Sequence, residues 1–263
     1  MSETSNSPLH ASSELVGSEM VTVDMVWPDQ SNHHGTLYGG AGLSMLDKQA
    51  FILGSRVLKG PVTTLEVHRL RFSAPAPVGH LIECQSKVID IHDQSVTIDS
   101  VLVAENLLTG ARVQSLSGQF TMVRESSKSR AALESLPAQS DALQWSSVSK
   151  EHANEITRVC EIVYPGHANH RKILHGGPAM AWMAKASFVA ATRDLRQSMV
   201  MAASENMVFK ASAFVGDVVE VTSRVVEIGR RSVHLEAQLW AESPDTGQRR
   251  HCASGRLTFV TLK

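Results

Sequence analysis

Residues 39–58 read GGAGLSMLDKQAFILGSRVL, and the fold class can be inferred outward from this segment. Residues 41–58 are apolar on nearly every side and lack runs of β-branched residues, which predicts one buried helix. Alternating apolar residues predict a strand before it, at 20–27. Turn residues separate four further predicted strands, at 62–72, 81–91, 95–105 and 111–123. A helix apolar all round, followed by a four-stranded antiparallel meander, indicates a sheet wrapped around the helix.

The same order of elements occurs twice in the chain. Residues 20–123 align with residues 157–260 at a constant offset of 137 without a gap, and the identical pairs include Asn32/Asn169, Gly39/Gly176, Phe72/Phe209 and Gly79/Gly216. Such a register indicates a tandem duplication. We therefore predict two domains, 19–123 and 156–263, joined by a Ser-, Ala-, Gln- and Lys-rich linker at 124–155. Residues 1–18 are expected to form a disordered tail. The copies should join edge to edge about a pseudo-two-fold axis.

Composition limits the class of protein. The chain has 263 residues, of which 43% are hydrophobic and 19% charged, and its net charge of −1 gives no cationic field for nucleic acid. The three cysteines, Cys84, Cys160 and Cys252, have no CxxC spacing, which favours free thiols in a reducing cytoplasm. The N-terminus is polar and acidic, and no apolar run reaches the ~20 residues that span a bilayer, so neither a signal peptide nor a membrane is expected.

Asp47 is a carboxylate on a helix otherwise committed to burial, four residues from both Leu43 and Phe51. Burial would raise its pKa toward the range useful for taking a proton from water. The alternative is a structural carboxylate that reaches the surface or pairs with Lys48 or Arg71.

Gly39 and Gly40 precede the predicted helix, where unpaired N–H groups and the positive end of the helix dipole coincide. These amides would suit a developing oxyanion, although tight packing or a turn could also require the glycine pair. The glycines do not extend to GxGxxG, so a dinucleotide site is not indicated.

The segment at 32–50, NHHGTLYGGAGLSMLDKQA, resembles the active-site region of hotdog acyl-CoA thioesterases, including double-hotdog cytosolic acyl-CoA hydrolases. Asn32, Gly35, Gly39, Gly40 and Asp47 stand at the family's spacing, and the resemblance covers both repeats. It implies an α+β protein of two tandem hotdog domains, paired as an intramolecular pseudo-dimer. It also implies hydrolysis of acyl-CoA, with a carboxylate as base or nucleophile and an Asn plus a helix-start amide on the thioester carbonyl.

The two copies diverge at the carboxylate, because the offset carries Asp47 to Ala184. In relatives of this type the site straddles the two domains, so the resemblance pairs Asp47 with Asn169 and Gly176. The reciprocal site, in which Asn32, Gly39 and Gly40 face Ala184, would bind substrate without a base and be catalytically silent. Thr64 is a further candidate, for a hydroxyl that holds the water, and His175 and Gly177 are candidates for substrate binding. The second loop departs from the family's pattern at Lys172, which stands where the first loop has Gly35.

The histidines form no HExxH pair, which argues against a metal site, and the absence of GxSxG argues against an α/β-hydrolase triad. We expect no metal or organic cofactor, because a carboxylate, amide donors and a water suffice for acyl transfer to water. Two rival functions stay open. A hotdog dehydratase or hydratase would need a histidine facing Asp47, for which His170 and His175 are candidates. A non-catalytic acyl-CoA binding module would tolerate loss of the carboxylate from one copy.

Hexameric single-domain relatives suggest a trimer of double-hotdog chains.

Overall fold

The computed structural model describes residues 15–125 and 156–262. The first copy consists of β1 (Glu19–Met25), α1 (Gly39–Val57), β2 (Val62–Phe72), β3 (Leu81–Ile91), β4 (Ser95–Glu105) and β5 (Arg112–Arg124). The second consists of β6 (Thr157–Ile162), α2 (Gly176–Leu195), β7 (Met199–Phe209), β8 (Val218–Ile228), β9 (Ser232–Glu242) and β10 (Arg249–Thr261). Three predicted strands have the predicted bounds, and β1, α1 and β5 differ from theirs by one or two residues at each end. Gly39 and Gly40 are the first two residues of α1 rather than the residues before it.

The prediction of a four-stranded meander is wrong in one respect. The ten strands form one sheet in the order β1-β3-β4-β5-β2-β7-β10-β9-β8-β6. Strands β3, β4 and β5 form a meander, but β2 pairs with β5 and not with β3. The connection from β2 to β3 spans residues 73–80, which exceeds the two to five residues of a hairpin, and it carries the chain past two strands. Each half is nevertheless a helix wrapped by an antiparallel sheet, the predicted hotdog arrangement.

The two copies join through β2 and β7, as predicted. These strands pair antiparallel, with Val67 opposite Met207 and Leu70 opposite Ser204. Because Leu70 is the counterpart of Met207 and Val67 that of Ser204, the pairing has pseudo-two-fold symmetry. It converts two half-sheets, each with an open edge, into one continuous sheet and leaves β1 and β6 as the outer strands.

Helices α1 and α2 pack against each other inside the sheet, and glycines allow the contact. A Cβ on Gly40 would lie 2.8 Å from Ala181 Cβ, and one on Gly177 would lie 2.7 Å from Ser44 Cα. The Tyr38 hydroxyl donates a hydrogen bond of 3.1 Å to the Ala181 carbonyl across the same junction. This close approach brings the start of each helix beside the middle of the other. Among the residues described, neither helix is long and apolar enough to cross a bilayer.

The two segments predicted to be irregular lie mostly outside the described residues. Of the predicted tail, residues 15–18 form a turn tied to β3, where Gly17 N–H donates to the Val88 carbonyl and Val88 N–H to that of Ser18, both at 2.9 Å. Of the predicted linker, Arg124 ends β5, and residues 126–155 lie outside the description.

Candidate active site

Asp47 is a buried carboxylate at the junction between the two copies, with 1% of its surface exposed. Its Oδ1 accepts a hydrogen bond of 2.6 Å from the Thr64 hydroxyl on β2. Its Oδ2 accepts one of 2.8 Å from the backbone N–H of Gly177, in the first turn of α2. Asp47 therefore has partners in both copies, and it neither reaches the surface nor pairs with Lys48 or Arg71, which are both exposed.

Opposing effects act on the acidity of this carboxylate. Burial raises the pKa of Asp47, while the hydrogen bonds from Thr64 and Gly177 and the charge of a protonated His175 oppose that rise. The burial effect prevails, so the net pKa of Asp47 lies above that of an exposed aspartate. A carboxylate of raised basicity is suited to accepting a proton from water.

The first residue of α2 can only be glycine in this arrangement. A Cβ on Gly176 would lie 2.7 Å from both Asp47 Oδ1 and Thr64 Oγ1, closer than side-chain atoms pack. The N–H groups of the first helical turn have no partner within the helix, and they mark the positive end of the helix dipole. The Gly177 N–H is already directed at Asp47, so it orients the carboxylate. The Gly176 N–H belongs to the same first turn of α2.

His175 is the residue immediately before α2 and lies close enough to Asp47 for their charges to interact. Its ring packs edge-on against Phe51, with the ring centroids 5.1 Å apart. Burial lowers the pKa of His175, the Asp47 charge opposes this effect, and His170 adds to it. The net effect lowers the pKa of His175, which favours the neutral imidazole.

Asn169 holds the loop before α2 through its side-chain oxygen. Its Oδ1 accepts hydrogen bonds from the N–H groups of Arg171 (2.9 Å) and Ile173 (3.1 Å). Asn32 holds the first loop in the same way, through the N–H groups of His34 and Thr36. Lys172 adopts a φ of 64°, close to the 70° of Gly35, so the two loops share a conformation despite that substitution. No hydrogen bond joins Asn169 to Asp47 within residues 15–125 and 156–262.

Asn32 and Asn169 differ in the residue that lies opposite the side-chain amino group. Asn32 Nδ2 donates a hydrogen bond of 3.1 Å to the Thr36 hydroxyl. Ile173 is the counterpart of Thr36 and has no hydroxyl, so Asn169 cannot make the equivalent hydrogen bond to that position. Reasoning from the sequence missed this difference, although the Thr36/Ile173 divergence is visible at the 137-residue offset.

The reciprocal half-site, at the start of α1, contains the predicted residues but has apolar side chains in place of the carboxylate and the hydroxyl. Ala184 stands in place of Asp47, and Met201 stands in place of Thr64. Gly39 lies against carbon atoms, since a Cβ there would be 3.3 Å from the Phe72 ring and 3.5 Å from Met201 Cβ. Asn32, Gly39 and Ala184 line one cavity together.

The two half-sites differ greatly in volume. The pocket beside Thr64 and Gly176 measures about 40 Å³, whereas the cavity beside Ala184 and Gly39 measures about 540 Å³. The small pocket has room for a water molecule, and it is lined by Thr64, which donates to Asp47. No pattern in the sequence predicts this difference in volume.

Comparison with known proteins agrees with this architecture. The family model of the thioesterase superfamily matches residues 34–111 and 172–248, which together exceed half of the chain and contain both helix starts. The chain belongs to the thioesterase superfamily. In this superfamily member, the two matched segments correspond to the two copies, so the duplication seen in the sequence is a duplication of the family's domain.

Individual relatives span both copies. Mouse acyl-coenzyme A thioesterase 11 is 24% identical over 93% of this chain and 47% of its own length, so the chain spans about half of that protein. An acyl-CoA hydrolase from Agrobacterium tumefaciens is 32% identical, covering 94% of this chain and 96% of that one, with a TM-score of 0.40. An acyl-ACP thioesterase from Bacteroides thetaiotaomicron, 11% identical over 92% of this chain and 97% of that one, shares the fold with a TM-score of 0.58.

Proposed function

We propose that this protein is an acyl-CoA thioesterase, which hydrolyses acyl-CoA to the free acid and CoA at one site between its two domains. The observation that carries the proposal is the buried Asp47 carboxylate, held by Thr64 and by the first turn of α2. Membership in the thioesterase superfamily and relatives named as acyl-CoA thioesterases and hydrolases support the reaction class.

The thioester carbonyl would lie at the start of α2. The Gly176 N–H and the Asn169 amino group then donate to the carbonyl oxygen, which becomes negatively charged as the tetrahedral intermediate forms. The backbone N–H is fixed by the helix and the amino group by the loop that Asn169 itself closes. Donors held in place before the reaction need no reorganisation while the charge develops.

Asp47 would act as a general base on a water molecule. It accepts a proton as the water oxygen bonds to the acyl carbon, and the C–S bond then breaks with the proton passing to the departing sulfur of CoA. Thr64 and Gly177 fix the orientation of the carboxylate and leave lone pairs on its oxygens for the water. Direct attack by Asp47 on the acyl carbon, giving a mixed anhydride that water hydrolyses, uses the same residues.

The test is release of free thiol from CoA esters ranging from acetyl-CoA to palmitoyl-CoA. We expect turnover of at least one chain-length class, and we expect full activity after exhaustive chelation, because the carboxylate, two donors and a water complete the reaction. Absence of thiol release across the series would overturn the proposal. Activity lost on chelation and restored by zinc would overturn the assignment of a cofactor-free site.

A second candidate is a hydratase acting on an unsaturated acyl thioester, and the position of His175 favours it. His175 and Asp47 interact through their charges, as a pair that moves protons at carbon would. Its test is loss of the 2-enoyl absorbance of crotonyl-CoA without release of thiol. Thiol release without hydration leaves hydrolysis as the reaction.

We also propose that the chain acts in the cytoplasm and assembles into a trimer. Its three cysteines are free thiols. The outer strands carry exposed apolar side chains, Val21 and Val23 on β1 and Ile162 on β6, which a further subunit would cover. Light scattering at micromolar concentration should give three times the mass of the chain, and a monomer would contradict the trimer.

A further inference from the structure

The pockets of about 40 and 540 Å³ occupy equivalent positions in the two copies. Their linings correspond residue by residue at the 137-residue offset: Thr64 and Met201, Leu174 and Leu37, Gly176 and Gly39, Ala211 and Ala74, Ala213 and Ala76. The large cavity is therefore the duplicate of the candidate active site, and it is not a continuation of that site.

The large cavity is lined by apolar side chains where the other site has polar ones. Ala184 and Met201 replace the carboxylate and hydroxyl of the other site, and Ala202 stands where the first copy has Leu65. Phe188 and Phe259 close the cavity with aromatic carbon. Ala184 on α2 and Ala202 on β7 have smaller side chains than their counterparts Asp47 and Leu65. The half-site that lacks the carboxylate is therefore also the one with the larger cavity.

The mouth of the cavity keeps polar groups. His33 and His34 lie there with ring centroids 3.9 Å apart, and one Ser198 hydroxyl lies 3.3 Å and 2.9 Å from their respective Nε2 atoms. The start of α1 adds the positive end of a helix dipole at Gly39. Imidazole and hydroxyl groups can donate to the oxygens of a carboxylate or thioester head, while an apolar interior receives its chain.

We propose that this cavity is a second binding site, which holds a fatty acyl chain without hydrolysing it. A volume of about 540 Å³ falls within the range of small-molecule sites, roughly 300–1,000 Å³. With Ala184 in place of the base, no carboxylate of α2 can activate water there, so a bound acyl group persists. The choice of an acyl chain rests on the proposed function of the Asp47 site. The occupant is either the free fatty acid or the chain of an intact acyl-CoA.

The equivalent alanines Ala74 and Ala211 provide a matched pair of variants. Ala74→Phe fills the large cavity, and Ala211→Phe obstructs the pocket beside Asp47. Calorimetric titration with dodecanoic acid should show binding to the wild type and to Ala211→Phe, with at least tenfold weaker binding to Ala74→Phe. The S-dodecyl thioether of CoA, which cannot be hydrolysed, tests the second source of the chain, and CoA alone serves as its control. Across free acids, affinity should rise roughly 3- to 4-fold per methylene until the cavity is full.

The binding proposal and the hydrolysis proposal can be refuted separately, because binding of a free acid needs no hydrolysis. Ala74→Phe should retain wild-type turnover and chain-length preference at the Asp47 site, whereas Ala211→Phe should lower turnover. If Ala74→Phe unfolds, Ala202→Leu is the milder variant, since it introduces the side chain of Leu65. Absence of acyl binding to the wild type, equal binding by the Ala74→Phe protein, or an altered chain-length preference in that variant would each overturn the proposal. The last result would make the cavity part of the substrate path.

Discussion

The backbone N–H of Gly177 in the second copy donates a hydrogen bond of 2.8 Å to Oδ2 of Asp47 in the first copy. Thr64, from the first copy, holds the other oxygen. The carboxylate is thus oriented by both domains at once, and the start of α2 that holds it also carries the proposed carbonyl donor Gly176. Neither copy alone contains this arrangement.

Replacing Asp47 with Asn should stabilise the fold at neutral pH. Burial raises the folded-state pKa of Asp47, so between about pH 3.9, the unfolded value, and that raised pKa the folded protein retains a proton that the unfolded chain has lost. Stability from Asp47 is therefore present at low pH and falls as the pH rises through the folded-state pKa. Each pKa unit corresponds to about 1.4 kcal/mol, or roughly 3–6 °C in melting temperature.

Thermal unfolding from pH 4 to pH 8 measures this effect. The melting temperature of Asp47→Asn should match that of the wild type near pH 4 and exceed it increasingly as the pH rises. His175 is the titratable group facing Asp47, and its lowered pKa leaves it neutral over the upper part of the range. Parallel curves for the two proteins would contradict a raised pKa at Asp47.

Gly176→Ala should disrupt the site although it adds only one methyl group. That Cβ would lie 2.7 Å from both Asp47 Oδ1 and Thr64 Oγ1, so one of the two must move. We expect turnover to fall by about 10²-fold, the cost of a displacement near 1 Å in a catalytic group. Gly39→Ala is the matched control, because its Cβ meets the Phe72 ring at 3.3 Å and no catalytic group. A wild-type rate in Gly176→Ala would refute the tight packing around Asp47.

Asn169→Asp should separate the two roles of that side chain. The carboxylate can still accept from the N–H groups of Arg171 and Ile173, so the loop is retained, while the proposed donor to the thioester carbonyl is lost. Turnover should decrease by about 10²–10³, as for removal of one oxyanion donor. The same change at Asn32 should alter turnover by less than about threefold, because Ala184 leaves its half-site without a base. Equal sensitivity at both asparagines, measured by thiol release, would be inconsistent with one cross-domain site.

The fold was largely predictable because the sequence repeats itself and because each copy contains one helix without a polar face. The strand bounds followed from local patterns at 62–72, 81–91 and 95–105. The strand that pairs with β2 could not be predicted from such patterns, because strands pair through backbone groups and the side-chain pattern does not show which strand is the partner. Only the eight residues at 73–80, too many for a hairpin, hinted that β2 leaves the meander.

The proximity of Asp47 to the start of α2 was predictable from the sequence, whereas the shape of the candidate site was not. The resemblance paired Asp47 with the start of α2, and the described geometry brings Asp47, Thr64 and Gly176 together. That Gly177 orients Asp47 depends on a helix crossing that no local pattern reveals. The volume beside Ala184 depends on how side chains from α2, β7 and β10 pack, and volume is a property of the assembled core.

The most direct measurement is thiol release by Asp47→Ala beside the wild type, with Asp47→Ala, Ala184→Asp as the companion variant. If Asp47 is the only base, turnover of the single variant should fall by about 10²–10⁴-fold, the usual contribution of a general base, while acyl-CoA binding survives. Weak activity of the double variant that then depends on Asn32 would show the second half-site regaining its base. An Asp47→Ala protein with wild-type turnover would contradict the account.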